Sequence, residues 1–134
     1  MTQGLFLSAG EVARDQLDWG QMAWFSRPAD TGTDAFVVIE VTLDPGYGHN
    51  FHKHPLQAET IYVMDGQIEQ WLHTESRILR PGDAVFIPAD LVHASFSTGS
   101  VPAKLLVVLG PAIGEGGYEL VDVSAEAPWN TLRS

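Results

Sequence analysis

Apolar side chains in this chain come in short runs cut by turn-forming residues, and no run keeps the helical spacing of three to four. The strongest, Ala35 to Leu43, reads as a strand closed by Asp44-Pro45-Gly46. Glu59 to Met64 is a second strand, ending at Asp65-Gly66, a hairpin signal. Gln67 to His73 and Glu75 to Leu79 pair as a further hairpin, and Arg80-Pro81-Gly82-Asp83 is a turn. Ala84 to Ile87 is a short strand stopped by Pro88, His93 to Ser97 begins another, and Lys104 to Leu109 completes the strand-rich region. Two stretches depart from this pattern: Glu11 to Gln16 reads as one short helical turn, and Ser26 to Asp34 as a loop. Many short strands between turns predict an all-β, antiparallel sandwich or small barrel.

Two runs are apolar on both faces, Phe36 to Val41 in its first half and Leu105 to Leu109 throughout. Such strands need a partner on each side. A homodimer is the economical expectation, with Trp19 and Met22 to Phe25 crossing between subunits or capping the barrel; packing of the N-terminal segment on the same chain is the alternative. Phe51 and Tyr62 are expected in an outer hydrophobic layer, and Trp71, Phe86 and Phe96 as packing residues.

At 134 residues the chain fits one domain with a sizeable core. Its 17 acidic against 7 basic residues give a formal net charge of −10, which argues against nucleic acid or an anionic membrane surface as partner. The sequence contains no cysteine, so disulfides and thiol chemistry are excluded. Neither a signal-peptide pattern nor a membrane-spanning apolar run is seen, and a cytoplasmic location is expected.

The chemistry concentrates in His52-Lys53-His54-Pro55-Leu56-Gln57-Ala58-Glu59, answered by a lone His93. On a strand, His52 and His54 share a face and Lys53 points away. Glu59 has the wrong parity for that face on one unbroken strand, but Pro55 favours a turn that can bring it back beside the histidines. Three imidazoles and a carboxylate can converge on one divalent ion. His49, an odd number of residues before His52, is expected at the rim, and His73 at a hairpin.

These residues carry a resemblance to the small single-domain cupins. Gly46, His52, His54, Glu59 and Gly66 keep every spacing of that family's first motif. Gly82, Pro88, Asp90, His93 and Ser97 follow the second, with Asp90 in place of a glycine and Ser97 in place of an asparagine. The resemblance implies a cupin-like antiparallel β-barrel (a double-stranded β-helix, or jelly-roll) over residues 35–112. Residues 1–34 would then be an N-terminal arm or cap, and 113–134 a segment packing on the barrel. It also implies one divalent metal ion per chain, Fe, Mn, Ni, Zn or Cu, held by His52, His54, Glu59 and His93.

Strand parity then gives Ile61, Val63, Ser95 and Ser97 as residues facing a bound small molecule, with Gln57 offering an amide. The first functional expectation is a metal-dependent dioxygenase acting on a small neutral or aromatic substrate, Glu59 serving as ligand and as catalytic proton acceptor. A metal-dependent isomerase, lyase or decarboxylase is the alternative enzyme, and a non-catalytic small-molecule binding module the alternative to catalysis. The scarcity of basic residues near the site favours a neutral ligand over a phosphate or polycarboxylate.

Overall fold

The computed structural model describes residues 4–133; Met1–Gln3 and Ser134, the ends of the expected arm and C-terminal segment, lie outside the described residues. Its strands are β1 (Ala13–Leu17), β2 (Gly20–Ser26), β3 (Val37–Leu43), β4 (Gly48–Lys53), β5 (Ala58–Asp65) and β6 (Ile68–Leu72). They continue as β7 (Glu75–Leu79), β8 (Ala84–Ile87), β9 (His93–Ser97), β10 (Ala103–Gly110) and β11 (Val121–Asp122). One short helix, α1 (Pro28–Thr31), interrupts the expected loop and ends at Gly32 with φ 76°.

The closed barrel expected from sequence is not what forms. The strands make a six-stranded sheet ordered β1-β2-β3-β10-β5-β8 and a five-stranded sheet ordered β11-β4-β9-β6-β7, and among the described residues no strand of one sheet is hydrogen-bonded to the other. The reading as a barrel, double-stranded β-helix or jelly-roll is therefore corrected to two open antiparallel sheets. Inward-outward alternation is the same along a sandwich strand as along a barrel strand, so the pattern could not decide closure.

Two local expectations change with it. Asp65-Gly66 does not close a hairpin, because β5 pairs with β10 and β8 whereas β6 pairs with β9 and β7. The turn instead carries the chain from one sheet to the other. Gly66 is at φ 75°, and a Cβ there would lie 2.6 Å from the Pro102 carbonyl oxygen, so the crossing needs glycine twice over. Glu11 to Gln16 is not helical; β1 covers most of it as the edge strand beside β2. The β6–β7 hairpin forms as expected.

The main core lies on the inner face of the six-stranded sheet. β3 alternates strictly, with Val37, Ile39, Val41 and Leu43 buried, and β10 answers with Ala103, Leu105, Val107 and Leu109. On β5 the same row contains Glu59, Ile61 and Val63, set opposite Leu109, Val107 and Leu105. A second cluster of Phe51, Trp71, Val92, Ala94, Phe96 and Val123 covers the outer face of the five-stranded sheet, with Trp129 and Leu132 packed against it. β9 is consequently buried on both faces. Tyr62, 43% exposed, stands on the outside of the six-stranded sheet.

Candidate metal centre

His52 and His93 face each other directly across the antiparallel β4–β9 register, ring centroids 4.3 Å apart. His54 lies one residue past β4, its carbonyl accepting the Asp90 amide at 3.0 Å. Asp90 holds φ 70°, the left-handed turn that a glycine would otherwise fill. The ligand atoms of His52, His54 and His93 all fall within 4.8 Å of one another, and all three residues are buried. Glu59 enters from the other sheet, Oε1 2.9 Å from His93 Nε2 and 3.4 Å from His54 Nε2.

The hydrogen bonds fix which nitrogen of each ring is free. Nδ1 of His52 meets the Asn50 carbonyl at 2.6 Å, that of His54 the Glu119 carbonyl at 2.7 Å, and that of His93 the Leu91 carbonyl at 2.9 Å. A carbonyl only accepts, so each Nδ1 is protonated and each neutral ring offers its Nε2 lone pair. Burial, the largest influence, pushes His52 well below and His54 below the usual imidazole range, which favours that neutral form. Burial opposes ionisation of Glu59, but its contact with His93, then the potential of His54 and His49, outweighs this and holds the carboxyl below its ordinary value.

The residues fit a divalent cation. Glu59 Oε1 and His93 Nε2 are both buried without a hydrogen-bond partner although they nearly touch. The contact is an ion pair only if His93 takes a second proton; otherwise a lone pair confronts a carboxylate oxygen. A shared cation removes the conflict. His52, His54 and His93 thus form a buried cluster positioned to chelate one divalent ion.

The site opens into a cavity of about 40 Å³, room for an ion and only a few waters. Ile39, Val41, Ile61, Leu105 and Val107 form its apolar wall, and neither lysine nor arginine is among its lining residues. Ile61 and Ser95 line it; Val63 is fully buried in the core, and Ser97 is buried with an unpartnered hydroxyl. Ser95 Oγ donates to Gln70 Oε1 at 2.6 Å. The amide of Gln57 is taken up by backbone groups of the 111–119 segment. Lys53 points out to Asp90 at 3.2 Å.

Two cavity residues, His49 and Tyr118, escaped the sequence reading. His49 is not simply a rim residue: the β4–β9 register shifts between His49 and His52, and this irregularity resets the parity. His49 stacks on His52 at 3.8 Å and on Trp19 at 5.2 Å, and burial lowers its pKa to about 4. Tyr118 comes from the loosely patterned tail, stacks on Trp24 and sets its edge to His54. Burial, then Asp15 and Glu59, raise its phenol and keep it protonated. Nothing in the spacing of Tyr118 marks it; only the folded chain brings it here. Trp19 lines the cavity together with Met22, the capping position, one of the alternatives expected for that segment.

The Cupin domain family matches residues 39–109. Protein SchB of Streptomyces halstedii is 31% identical over 110 residues, 81% of this chain and 79% of that protein. Quercetin 2,3-dioxygenase of Bacillus subtilis is 33% identical over 88 residues, 65% of this chain but only 26% of the enzyme. The structure of the polyketide cyclase RemF from Streptomyces resistomycificus superposes with a TM-score of 0.68 at 22% identity, covering 80% of this chain and 79% of that one. With both sequence motifs inside the matched region and their histidines gathered at one point, this chain belongs to the cupin domain family.

Proposed function

We propose that the protein is a metal-dependent enzyme that binds a small neutral enol or phenol and removes its proton through Glu59, with dioxygenase chemistry as the most direct continuation. The observation that carries this reading is the buried carboxylate of Glu59 beside the free nitrogens of His93 and His54, in a cavity with an apolar wall and neither lysine nor arginine in its lining. His52, His54 and His93 would hold the ion, and Glu59 would act as fourth ligand or as proton acceptor. A divalent ion bound there supplies Lewis acidity and, if it is iron, manganese, nickel or copper, redox chemistry with dioxygen.

The remaining work falls to side chains. The Ile39, Val41 and Ile61 wall excludes water and strengthens every charge interaction at the site. Glu59 Oε1, without a hydrogen-bond partner, is free to receive a proton. Tyr118, kept protonated and with its hydroxyl donating to Met22 Sδ at 3.9 Å, can turn that weak bond to a substrate oxygen. The relatedness to quercetin 2,3-dioxygenase supports an aromatic substrate and the oxygenase reading. The fold shared with a polyketide cyclase supports a second reading, Lewis-acid rearrangement of an enolic substrate without oxygen uptake.

The test is to load the protein with each metal alone, add 4-nitrocatechol as a small probe phenol at a pH below its own ionisation, and record oxygen consumption together with the absorbance of the ionised probe. Glu59→Gln should bind the probe without ionising it. Ionisation with oxygen uptake supports the dioxygenase, and ionisation without uptake the Lewis-acid enzyme. Undiminished ionisation by Glu59→Gln overturns the role of Glu59.

A further inference from the structure

Among the three metal-binding histidines, His54 is oriented differently from the others. His52 and His93 bond carbonyls two residues earlier in their own segments, Asn50 and Leu91, so local backbone sets their rings. His54 bonds the carbonyl of Glu119, a residue 65 positions away and outside the matched region 39–109. Its tautomer therefore depends on how that distant backbone is held.

One side chain holds it. Gln57, 2% exposed, donates through Nε2 to the carbonyls of Pro111 at 2.8 Å and Gly117 at 3.0 Å, and its Oε1 accepts the amide of Glu119 at 3.1 Å. Both donors and the acceptor of the carboxamide are engaged. Glu119 is thus gripped twice, its N–H by Gln57 and its C=O by His54. Gln57 is itself tied to the histidine by its backbone N–H, 3.3 Å from the His54 carbonyl.

We infer that Gln57 is a positioning residue for the metal centre: by fastening the 111–119 segment it fixes the Glu119 carbonyl that sets the tautomer and direction of His54. The inference rests on the three-histidine site but on no substrate or reaction. A ring partner such as the Glu119 carbonyl is worth roughly 10–100-fold in metal affinity, and Gln57 acts through it.

The test reads the ring directly. Long-range proton–nitrogen correlation spectra of the metal-free protein report each imidazole tautomer, and titration with Zn(II) alone reports affinity. In the wild type, all three rings should carry the proton on Nδ1. In Gln57→Ala, His54 should lose its single tautomer while His52 and His93 keep theirs, and Zn(II) affinity should fall about tenfold or more. Gln57→Glu preserves shape and the acceptor for Glu119 but removes both donors and faces two carbonyls with a carboxylate. It should act the same way, and it decides the matter should the alanine variant not fold. An unchanged His54 tautomer in a folded variant overturns the inference, as does equal loss at all three rings, which would mark Gln57 as a general structural residue. Absence of catalytic turnover would sink the proposed enzyme and leave this result standing, because it is read without substrate.

Discussion

At the scale of the residue, the site depends on imidazoles held neutral and aimed inward. His54→Ala removes one of three converging lone pairs, so metal affinity should fall by more than the roughly 10–100-fold that an outer partner is worth, and metal content after dialysis should fall sharply. Circular dichroism should still show a folded β protein, since the main core lies elsewhere on β3, β5 and β10. Retained metal would remove His54 from the ligand set. The same neutral rings predict a pH dependence. His49 titrates at about 4 in the folded protein against 6.5 in the unfolded chain, and His52 and His54 are also lowered. The unfolded state therefore binds more protons between about pH 6.5 and 4, and stability rises with pH across that window. Glu59, lowered as well, adds a loss in the same direction as pH falls through its folded value. The melting temperature of metal-free protein should drop as pH is brought from 7 to 4, and a flat profile would contradict the buried neutral histidines. His52, His54, Glu59 and His93 stand out in the sequence because their chemistry is local to the side chain. His49 does not, because its direction is set by an irregularity in β4 that no spacing rule records.

At the scale of the element, the centre requires close approach of β4 and β9. A Cβ on Gly48 would collide with the Ser95 carbonyl oxygen and the Phe96 ring. Gly48→Ala should cost about 1–3 kcal/mol in urea unfolding and weaken metal binding by spreading His52 from His93; unaltered stability would mean that the strands need not lie so close. Phe51, 2% exposed and packed between Trp71 and Phe96, ties the outer layer to the same strand. Phe51→Ala should cost about 3–5 kcal/mol, a loss that calorimetry would read without any ligand. Most strands were legible from alternation and turn residues, and β3, β8, β9 and β10 lie where the pattern puts them. β1 was not: Ala13–Leu17 is exposed throughout, and its strand state comes from pairing with β2. Asp65-Gly66 marked a turn correctly, but a turn sequence does not say which sheet receives the next strand.

At the scale of the whole molecule, the outer face of the six-stranded sheet still presents Tyr62, Phe86 and Val108 to solvent. We propose that a second copy covers it; light scattering should give twice the monomer mass, reduced to the monomer by Tyr62→Glu, and a wild-type monomer would refute this. No helix among the described residues is long and apolar enough to cross a membrane. The sequence by itself determined the family, the alternating strands and the four residues of the proposed metal site, because motif spacing and side-chain chemistry are properties of neighbours along the chain. Tertiary structure alone decided that the sheets stay open, and that His49, Trp19 and Tyr118 meet at the cavity. It alone joined Gln57 to His54 through a carbonyl far along the chain. Those outcomes depend on which strand edges pair and which backbone groups are left to satisfy, and such long-range choices are made only when the whole chain packs.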